Sequence, residues 1–434
     1  MSTRSRKARL LRVLVVLSAV AVSLAACSSN GGSSSSRSPL VVGDIWPFSG
    51  ALAEYGIHSQ AGCLAAAHVI AAAGGVLGHS ISCAEIDDKG DSVDAVPVVQ
   101  KFLATTSNVI GVSGPETDTS LALAPILNQA KIPYISYTGS AYFDKNTSPY
   151  FYRMALADAV YGAALAYAAH IAGYKRAVIL LGTNTGAQDL HTGMVEALKK
   201  LGSPKLVLDL SVAIDQPSYS AEVARLAAVN PDVILGEMDP QTATTFTSDM
   251  KAQYHLVHFI TDATDLTSQV FNALDKTIGP ANVVEYLHAV SSQVSTSGAG
   301  AAAYIAALRA ISKSYPTAMQ YVSDPQAQYT YDTVLIFALA IEAAKSTNPQ
   351  VFNSYITKIT SGTAGATQVK TFAAGKAALT SGKSIRYLGL IGPISFDAAH
   401  TSTPPLQEFR FKPSGAYLPT NVPMPQLTIQ RLVS

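Results

Sequence analysis

Short runs of aliphatic and β-branched residues alternate with longer alanine-rich segments from Leu40 to Thr261. The short runs predict β-strands, and the longer segments predict α-helices of roughly 10–15 residues. Strands that alternate with such helices are typical of βαβ units, in which the strands lie parallel in one sheet. Because there are too many units for one small sheet, we predict an α/β fold with two doubly wound parallel-sheet lobes joined by hinge strands.

The predicted elements follow one another with few interruptions. The predicted strands are residues 40–45, 81–86, 109–112, 132–136, 177–181, 206–210, 233–235 and 257–261. The predicted helices are residues 58–73, 93–104, 120–130, 159–172, 190–201, 219–228, 242–253, 301–314 and 333–345. The Ser- and Gly-rich residues 293–300 predict a loop, and the Pro-rich chain from Ser402 predicts irregular structure.

The first 26 residues contain five basic side chains and no acidic one. From Leu10 to Ala26 the sequence is apolar apart from Arg12, but this stretch is shorter than the roughly 20 residues that a membrane-spanning helix needs. A basic start, a short apolar segment and small residues before a cleavage point indicate a secretory signal peptide over residues 1–26.

The end of this segment, Leu24-Ala25-Ala26-Cys27, resembles a bacterial lipobox, where cleavage precedes a cysteine that receives a diacylglyceryl group. Residues 27–39 are rich in Ser and Gly and would form a flexible tether. Two acyl chains give stable anchoring. We therefore expect an extracytoplasmic protein that is anchored to the bacterial membrane only by the lipid on Cys27. The alternative is an ordinary signal peptide in which Cys27 is incidental.

Two further cysteines, Cys63 and Cys83, fall in a predicted helix and in the strand that follows it. A helix that packs on its next strand can bring two Cα atoms within disulfide distance, and an oxidising compartment favours the bond. We therefore predict a disulfide, which would stabilise the fold by about 3 kcal/mol. The alternative is two unpaired buried thiols.

The charge and the motifs of the chain argue against several classes of function. After the signal peptide the chain carries 25 basic and 29 acidic side chains, which shows no bias towards nucleic acid. Walker A, HExxH and GxSxG motifs are absent, and Ser248–Lys251 matches S-x-x-K without its companion motifs. His255 and His258 would point to opposite faces of a strand, which is unfavourable for a metal ion. We predict no catalysis, no metal ion and no cofactor.

Polar loops follow three of the predicted strands, at residues 46–50, 114–119 and 137–140. In open parallel sheets, ligands bind beyond the carboxyl ends of strands, where hydroxyl and N–H groups receive carboxylate or amide oxygens. The alternative is that these residues only cap helices. Trp46, the only tryptophan, either borders the crevice with Ser49 and covers part of a ligand, or lies in the core beneath the first helix.

Several short motifs occur in a specific order along the chain. They are Ser49-Gly50 with Gly56, Ala73-Gly74-Gly75-Val76-Leu77-Gly78, Asp87-Asp88, Gly114-Pro115, Ile132-Pro133-Tyr134-Ile135-Ser136, Tyr329-Thr330-Tyr331-Asp332 and Gly392-Pro393-Ile394-Ser395-Phe396-Asp397. Their order, from Leu40 to Tyr417, resembles that of the branched-chain amino-acid-binding protein family. The resemblance implies an extracytoplasmic receptor of an ABC importer with the type I periplasmic-binding fold.

In that family two lobes close over a small ligand, so the resemblance also implies roles for individual residues. The candidates for holding a ligand carboxylate in the first lobe are Thr117, Asp118, Thr119, Thr138 and Ser140. Asp262 of the second lobe matches the acid that holds the ligand's ammonium group, with a strand-end cap as the alternative role.

Two residues depart from the family pattern. Asp118 falls near the position of a serine, and its carboxylate would repel a ligand carboxylate. Thr185 stands where an aromatic ring often packs on the ligand. These departures argue against a plain branched-chain amino acid and leave open an amide, a cationic amino acid or another small polar solute.

The resemblance implies a first lobe of residues 40–154 and about 288–385, and a second lobe of residues 155–287 and about 386–434. Hinge strands are expected at Tyr152–Met154 and at residues 284–289. Hinge closure around a solute would produce the state that docks on an ABC permease and its ATPase subunits. The alternatives are the ligand-sensing lobe of a signalling system and an extracytoplasmic hydrolase.

Overall fold

The computed structural model describes residues 37–50 and 52–433. The predicted signal peptide, the lipobox cysteine Cys27 and most of the predicted tether lie outside the described residues. Within the described ranges, no helix combines the length and the apolar character needed to cross a membrane.

The described chain alternates strands and helices over most of its length. The strands are β1 (Arg37–Trp46), β2 (His79–Asp87), β3 (Val109–Glu116), β4 (Tyr134–Tyr137), β5 (Phe151–Arg153), β6 (Arg176–Gly182), β7 (Lys205–Val212), β8 (Val233–Glu237), β9 (His258–Thr261), β10 (Leu287–Ser292), β11 (Thr367–Val369), β12 (Ile385–Gly389), β13 (Gly392–Pro393), β14 (Leu406–Phe411) and β15 (Tyr417–Pro419). The helices are α1 (Ala53–Ala72), α2 (Ser92–Thr105), α3 (Thr117–Ala130), α4 (Asp158–Ile171), α5 (Thr185–Asp189), α6 (His191–Leu201), α7 (Ser220–Val229), α8 (Pro240–Gln253), α9 (Ser268–Ile278), α10 (Pro280–Tyr286), α11 (Gly298–Ile311), α12 (Pro325–Ala344), α13 (Pro349–Ser361), α14 (Phe372–Thr380) and α15 (Gln426–Gln430).

The first lobe, lobe 1, is built on a parallel five-stranded sheet in the order β2-β1-β3-β4-β5. Alternate residues of β1 face two cores: Val42 packs with α1 and α12, and Ile45 packs with α2 and α3. Helices α1 and α12 pack closely at Gly62, where there is no space for a side chain. A Cβ atom at this position would lie 2.1 Å from the backbone carbonyl oxygen of Ala327. Helices on both faces make this sheet doubly wound.

The second lobe, lobe 2, is built on a seven-stranded sheet in the order β15-β14-β10-β9-β8-β6-β7. Strands β6 to β10 are parallel to one another, whereas β14 and β15 pair antiparallel at one edge. One face packs on α4, α6 and α15, and the other packs on α7 to α10. The predicted α/β fold with two doubly wound lobes is confirmed.

The sheets decide which lobe each segment joins. Strand β10 hydrogen-bonds to β9 and β14, and so it belongs to lobe 2 although residues 288–292 were expected in lobe 1. Strands β11 to β13 form a small sheet whose residues share the core of lobe 1, so that lobe extends past residue 385. The Pro-rich chain after Ser402 is not irregular throughout, because β14 and β15 complete the second sheet. Sequence periodicity does not show which sheet a strand will join.

The predicted disulfide between Cys63 of α1 and Cys83 of β2 is present, with a Cα–Cα distance of 6.1 Å. Cys63 is fully buried in the core between α1 and α12. The bond therefore ties helix α1 to the strand that follows it.

Candidate functional site

A cavity of about 60 Å³ lies between the two lobes at the carboxyl ends of their strands. Lobe 1 contributes residues from the ends of β3 and β4, and lobe 2 contributes residues from the ends of β8 and β9. Five carboxyl side chains line the cavity: Glu116, Asp118, Asp158, Glu237 and Asp262. Three tyrosines line it as well: Tyr55, Tyr137 and Tyr161.

The lobe 1 wall is formed by the junction of β3 and α3. Glu116 is the last residue of β3, and its carboxylate caps α3 by accepting a hydrogen bond from the Asp118 nitrogen at 2.7 Å. The Thr119 hydroxyl donates to the other Glu116 oxygen at 3.3 Å. Burial raises the pKa of Glu116 well above its usual value, and the carboxylates of Asp118 and Asp88 raise it further.

Asp118 connects the two lobes directly. Its Oδ1 accepts a hydrogen bond from the backbone nitrogen of Gly186 in α5 of lobe 2, at 2.9 Å. Burial raises the pKa of Asp118, whereas the Gly186 N–H opposes that rise by favouring the carboxylate. The residue that departs from the family pattern therefore bridges the cleft.

A second bridge between the lobes lies beside the cavity. Glu54, in the first turn of α1, accepts hydrogen bonds from the Ser268 hydroxyl at 2.5 Å and from the Gln269 nitrogen at 2.8 Å. Both donors belong to the first turn of α9 in lobe 2, where N–H groups lack partners within their own helix. Carboxylates of lobe 1 thus cap two helices of lobe 2, and the lobes are held in contact.

Three acids form the lobe 2 wall. Glu237 ends β8, and the amide of Asn184 is 3.5 Å from its Oε1. Asp262 follows β9 and accepts a hydrogen bond from the Thr264 nitrogen at 2.9 Å. Burial raises the pKa of Asp262 to about 6, and it raises the pKa of Glu237 well above the usual range. The predicted cap by Asp262 is present, and the same side chain lines the cavity.

Asp158 differs from the other four acids because one of its carboxyl oxygens is buried without a hydrogen-bond partner. It begins α4 directly after the chain enters lobe 2, and its side chain is 8% exposed. Its Oδ2 has no hydrogen-bond partner. Gly139 leaves room for this carboxyl group, since a Cβ there would lie 1.9 Å from Asp158 Oδ1. Burial raises the pKa of Asp158 well above its usual value, with further increases from Asp189 and Asp262.

The tyrosines of the cavity continue into an aromatic cluster in lobe 1. The Tyr137 and Tyr161 hydroxyls lie 3.5 Å apart across the lobes, and Tyr161 also contacts the Ser292 hydroxyl at 3.0 Å. The rings of Tyr55 and Tyr137 pack on Trp46 with centroid distances of 6.4 and 6.0 Å. Trp46 is itself fully buried and lies behind the lining rather than in it. The expected partly exposed position of Trp46 is therefore corrected to the alternative, a core residue.

Of the residues that the sequence nominated, Thr117, Asp118 and Asp262 line the cavity. Thr185 is exposed at the start of α5, next to Gly186 of the lining. Ser49 lies outside the lining, and its hydroxyl donates to Asp87 at 2.6 Å.

The remaining hydroxyl candidates face protein partners. Thr119 is fully buried and donates to Asp88 Oδ2 at 2.8 Å. Thr138 is also fully buried, and its oxygen accepts hydrogen bonds from the Ser120 hydroxyl at 3.1 Å and the Ser140 nitrogen at 3.3 Å. Neither Thr119, Thr138 nor Ser140 belongs to the described lining of the cavity.

Six acidic or tyrosine side chains of the lining were not named as individual site residues: Tyr55, Glu116, Tyr137, Asp158, Tyr161 and Glu237. Glu116 and Tyr137 do lie in the polar loops at residues 114–119 and 137–140 that the sequence singled out. Glu116, Tyr137 and Glu237 are the final residues of strands, and their strand-end position was an available signal. Asp158 and Tyr161 carry no such signal, because α4 reaches the cavity only through the packing of one lobe against the other.

The fold matches those of solved binding proteins. One of them is LivJ from Streptococcus pneumoniae, a branched-chain amino acid transporter substrate-binding protein in complex with isoleucine. It shares 19% sequence identity with this chain, and the match covers 88% of this chain and 99% of LivJ with a TM-score of 0.68. LivK from Thermotoga maritima, a leucine-binding protein, shares 16% identity, with coverage of 88% and 97% and a TM-score of 0.68. A solute-binding protein of an ABC transporter from R. palustris, in complex with benzoate, shares 19% identity, with coverage of 88% and 95% and a TM-score of 0.64.

These likenesses confirm the type I periplasmic-binding fold that the motif order implied. A comparison with curated protein sequences finds no significant match. The family profile described as periplasmic binding protein matches residues 39–411, which is most of the chain. This is a family of binding proteins and not of enzymes, in agreement with the prediction from the motifs. The chain belongs to the periplasmic binding protein family.

Proposed function

We propose that the protein is an extracytoplasmic receptor that encloses a small polar solute between its lobes and delivers it to an ABC importer. The observation that carries this proposal is the cavity at the strand ends, which both lobes line with polar side chains. The carboxylates of Asp118 and Glu54 cross from lobe 1 to helices of lobe 2, and so they stabilise a closed state. Ligands of open parallel sheets bind at this position.

Solved proteins of the same fold support a small organic solute. The Streptococcus pneumoniae protein is in complex with isoleucine, and the R. palustris protein is in complex with benzoate. One fold thus accommodates chemically different ligands, and the lining side chains determine which one is bound.

Hinge closure requires flexible connections between the lobes. We assign residues 37–153 and 298–393 to lobe 1, and residues 158–292 and 406–433 to lobe 2, on the basis of the strands and helices that build each lobe. The crossings are then residues 154–157, 293–297 and 394–405. The first crossing adjoins the expected hinge at Tyr152–Met154, and the second follows β10 rather than preceding it.

The proposal includes lipid anchoring at Cys27 and docking on a permease with its ATPase subunits. A tethered receptor stays near the importer, which keeps its local concentration high. Closure changes the relative orientation of the lobes, so a permease can distinguish the loaded receptor from the empty one.

A thermal-shift screen of the mature protein against amino acids, amides, amines and aromatic acids tests solute binding. A ligand at 100 times its Kd should add about 2.7 kcal/mol to the free energy of unfolding. Calorimetry would then confirm the ligand, and X-ray scattering with and without it would measure closure. Binding by none of these classes contradicts the proposal, and turnover of ester or peptide substrates would favour a hydrolase.

Uptake measurements separate transport from signalling. Deleting the gene should abolish uptake of the radiolabelled solute by the source cells, and the wild-type gene should restore it. Unchanged uptake together with loss of a cellular response to the solute would favour a sensor.

A further inference from the structure

The cavity lining is acidic on both sides. Glu116 and Asp118 belong to lobe 1, whereas Asp158, Glu237 and Asp262 belong to lobe 2. Among the described residues that line the cavity, none is Lys, Arg or His. Buried carboxylates without a positive partner are costly, so such a site either takes up protons or binds a cation.

The nearby cation Arg153 is already engaged with other groups. Its guanidinium forms an ion pair with Asp144 at 2.8 Å and donates to the Ser140 oxygen at 3.3 Å. Its charge lowers the pKa of Asp158, but the carboxylates of Asp189 and Asp262 act on Asp158 more strongly and raise it. The site therefore keeps more acidic groups than cations to pair with them.

Asp158 provides an independent indication of a missing partner. Its side chain lines the cavity, is more than nine-tenths buried, and has an Oδ2 without any hydrogen-bond donor. Buried polar atoms in native proteins almost always have a partner, and an exception in a binding cleft points to a ligand group. A carboxylate oxygen only accepts, so the missing group is a donor, and an ammonium group satisfies both its charge and its hydrogen-bonding capacity.

Most of the receptor expected for a ligand carboxylate does not face the cavity. Thr119 donates to Asp88, and Thr138 accepts hydrogen bonds from Ser120 and Ser140. Thr117 and Asp118 are the two expected first-lobe residues that line the cavity, and Asp118 brings an acidic group of its own beside the single Thr117 hydroxyl. A zwitterionic amino acid would bring its carboxylate against these acids.

The lining also favours an organic cation over a bare metal ion. The described residues contain no group of three or more His, Cys, Asp or Glu side chains arranged to hold a metal ion. Instead, the rings of Tyr55, Tyr137 and Tyr161 line the same cavity as the acids. Aromatic faces attract alkylammonium groups, and their edges pack on methylene chains.

We infer that the solute is an alkyl diamine or polyamine without a carboxylate, whose ammonium groups pair with acids of both lobes. This inference rests on the proposed function, since it names the solute class for the same cavity. One ammonium group would satisfy Asp158, and a second would neutralise the acids of the opposite wall. An alkyl chain between the ammonium groups would contact the tyrosines.

Binding of such a dication should be coupled to proton release. Burial raises the pKa values of Glu116, Asp158 and Glu237. Each of these pKa values is raised further by neighbouring carboxylates, which belong to Asp88, Asp118, Asp189, Asp262 and Asp265. A bound ammonium group favours the charged carboxylates and so lowers these pKa values. Affinity should therefore increase as the pH rises from about 5 to 8, over which alkylamines stay protonated.

Isothermal titration calorimetry with 1,4-diaminobutane, spermidine, L-isoleucine and benzoate tests the inference, with the mature wild-type protein at pH 5.5 and 7.5. We expect a diamine or polyamine to bind, at least tenfold more tightly at pH 7.5, and with proton release that is visible as a dependence on buffer ionisation enthalpy. Asp158→Asn should weaken binding at least tenfold. Asp94→Asn, which removes one charge from a half-exposed surface pair with Lys89, should leave the affinity unchanged.

The outcomes separate the two proposals. Binding of L-isoleucine or benzoate without binding of either amine overturns the inference and leaves the proposed function intact. The inference is also overturned if the protein binds Ca²⁺ or Mg²⁺ but neither amine. It is overturned as well if Asp158→Asn and Glu237→Gln both leave the affinity for the amine unchanged. If circular dichroism shows that Asp158→Asn does not fold, the amine affinity of Glu237→Gln is compared with that of wild type instead. Failure of every solute class in the wider screen overturns the proposed function as well.

Discussion

The Asp118 carboxylate of lobe 1 accepts a hydrogen bond from the Gly186 backbone nitrogen of lobe 2 at 2.9 Å. This contact joins the first turn of α3 to the first turn of α5 and spans the cleft beside the cavity. Hydrogen bonds to charged acceptors contribute about 1.5–3 kcal/mol, which is enough to shift an equilibrium between open and closed states.

We predict that Asp118→Ala shifts the ligand-free protein towards an open state. Asp118→Asn keeps an acceptor oxygen for Gly186 and should open less. Small-angle scattering would report opening as a larger radius of gyration for the alanine variant. Equal radii for Asp118→Ala and wild type would show that this bond does not hold the lobes together.

Cys27→Ala should release the protein from the membrane fraction or leave its precursor uncut. The thiol is the proposed site of the diacylglyceryl group, and two acyl chains provide stable anchoring. Detergent-phase partitioning and incorporation of labelled palmitate would measure the loss. Undiminished labelling of the variant would contradict anchoring at Cys27.

Removing the disulfide should destabilise the protein by about 3 kcal/mol, because the bond closes a loop between residues 20 positions apart. The double variant Cys63→Ala/Cys83→Ala, compared with wild type in urea, would measure this change. Addition of reductant should lower the stability of wild type only. The same stability for reduced and oxidised wild type would exclude a contribution from the bond.

Asp44 should make the stability of the protein decrease as the pH rises. Its side chain is fully buried, accepts a hydrogen bond from Ser59 at 2.6 Å, and has a pKa that burial raises from 3.8 to about 7. The folded state therefore binds a proton that the unfolded state releases, and this stabilisation is present below pH 4 and lost as the pH rises to 7. We expect a decrease of more than about 1 kcal/mol from this group.

Urea unfolding of the ligand-free protein between pH 4 and pH 8 measures that effect. Asp44→Asn cannot titrate, so its stability should vary less with pH than that of wild type. Asp94→Asn, at the surface, should retain the wild-type dependence. Parallel pH profiles for Asp44→Asn and wild type would show that the Asp44 pKa is not raised.

Trp46 should report solute binding through intensity rather than wavelength. The indole is fully buried, so its emission should already be that of an apolar site. Tyr55 and Tyr137 lie between Trp46 and the cavity, and their movement on solute binding should change the quenching of Trp46. A titration followed by emission, with acrylamide quenching as a control, would check both points. Red-shifted emission that acrylamide quenches in the free protein would contradict the buried position.

The sequence predicted the fold better than the site because hydrophobic periodicity reports local structure. Helices α6 and α8 and strands β2 and β8 agree in type and within a few residues with their predicted ranges. The antiparallel strands β14 and β15 were missed, since prolines obscure their pattern and they become strands only because β14 pairs with β10 and β15 pairs with β14.

The site was predicted in part for a related reason. Strand ends identified Thr117, Asp118 and Asp262, because position along a parallel strand already determines one wall of a cleft. Thr119 and Thr138 were expected to face a ligand, but the structure turns their hydroxyls towards Asp88 and Ser120. The orientation of a side chain depends on tertiary partners that a linear pattern does not contain.

Strands β14 and β15, which form one edge of the second sheet, have a consequence for folding during the export that the proposed function implies. Strand β10, the partner of β14, would leave the translocation channel well before residues 406–419 do, and helices α11 to α14 of lobe 1 would emerge in between. Lobe 1 has all of its strands and helices once residue 393 has crossed the membrane, and lobe 2 only when residues 406–433 have followed. We therefore expect the chain to rely on chaperones while it waits for β14, and neither lobe to be obtainable as one contiguous proteolytic fragment.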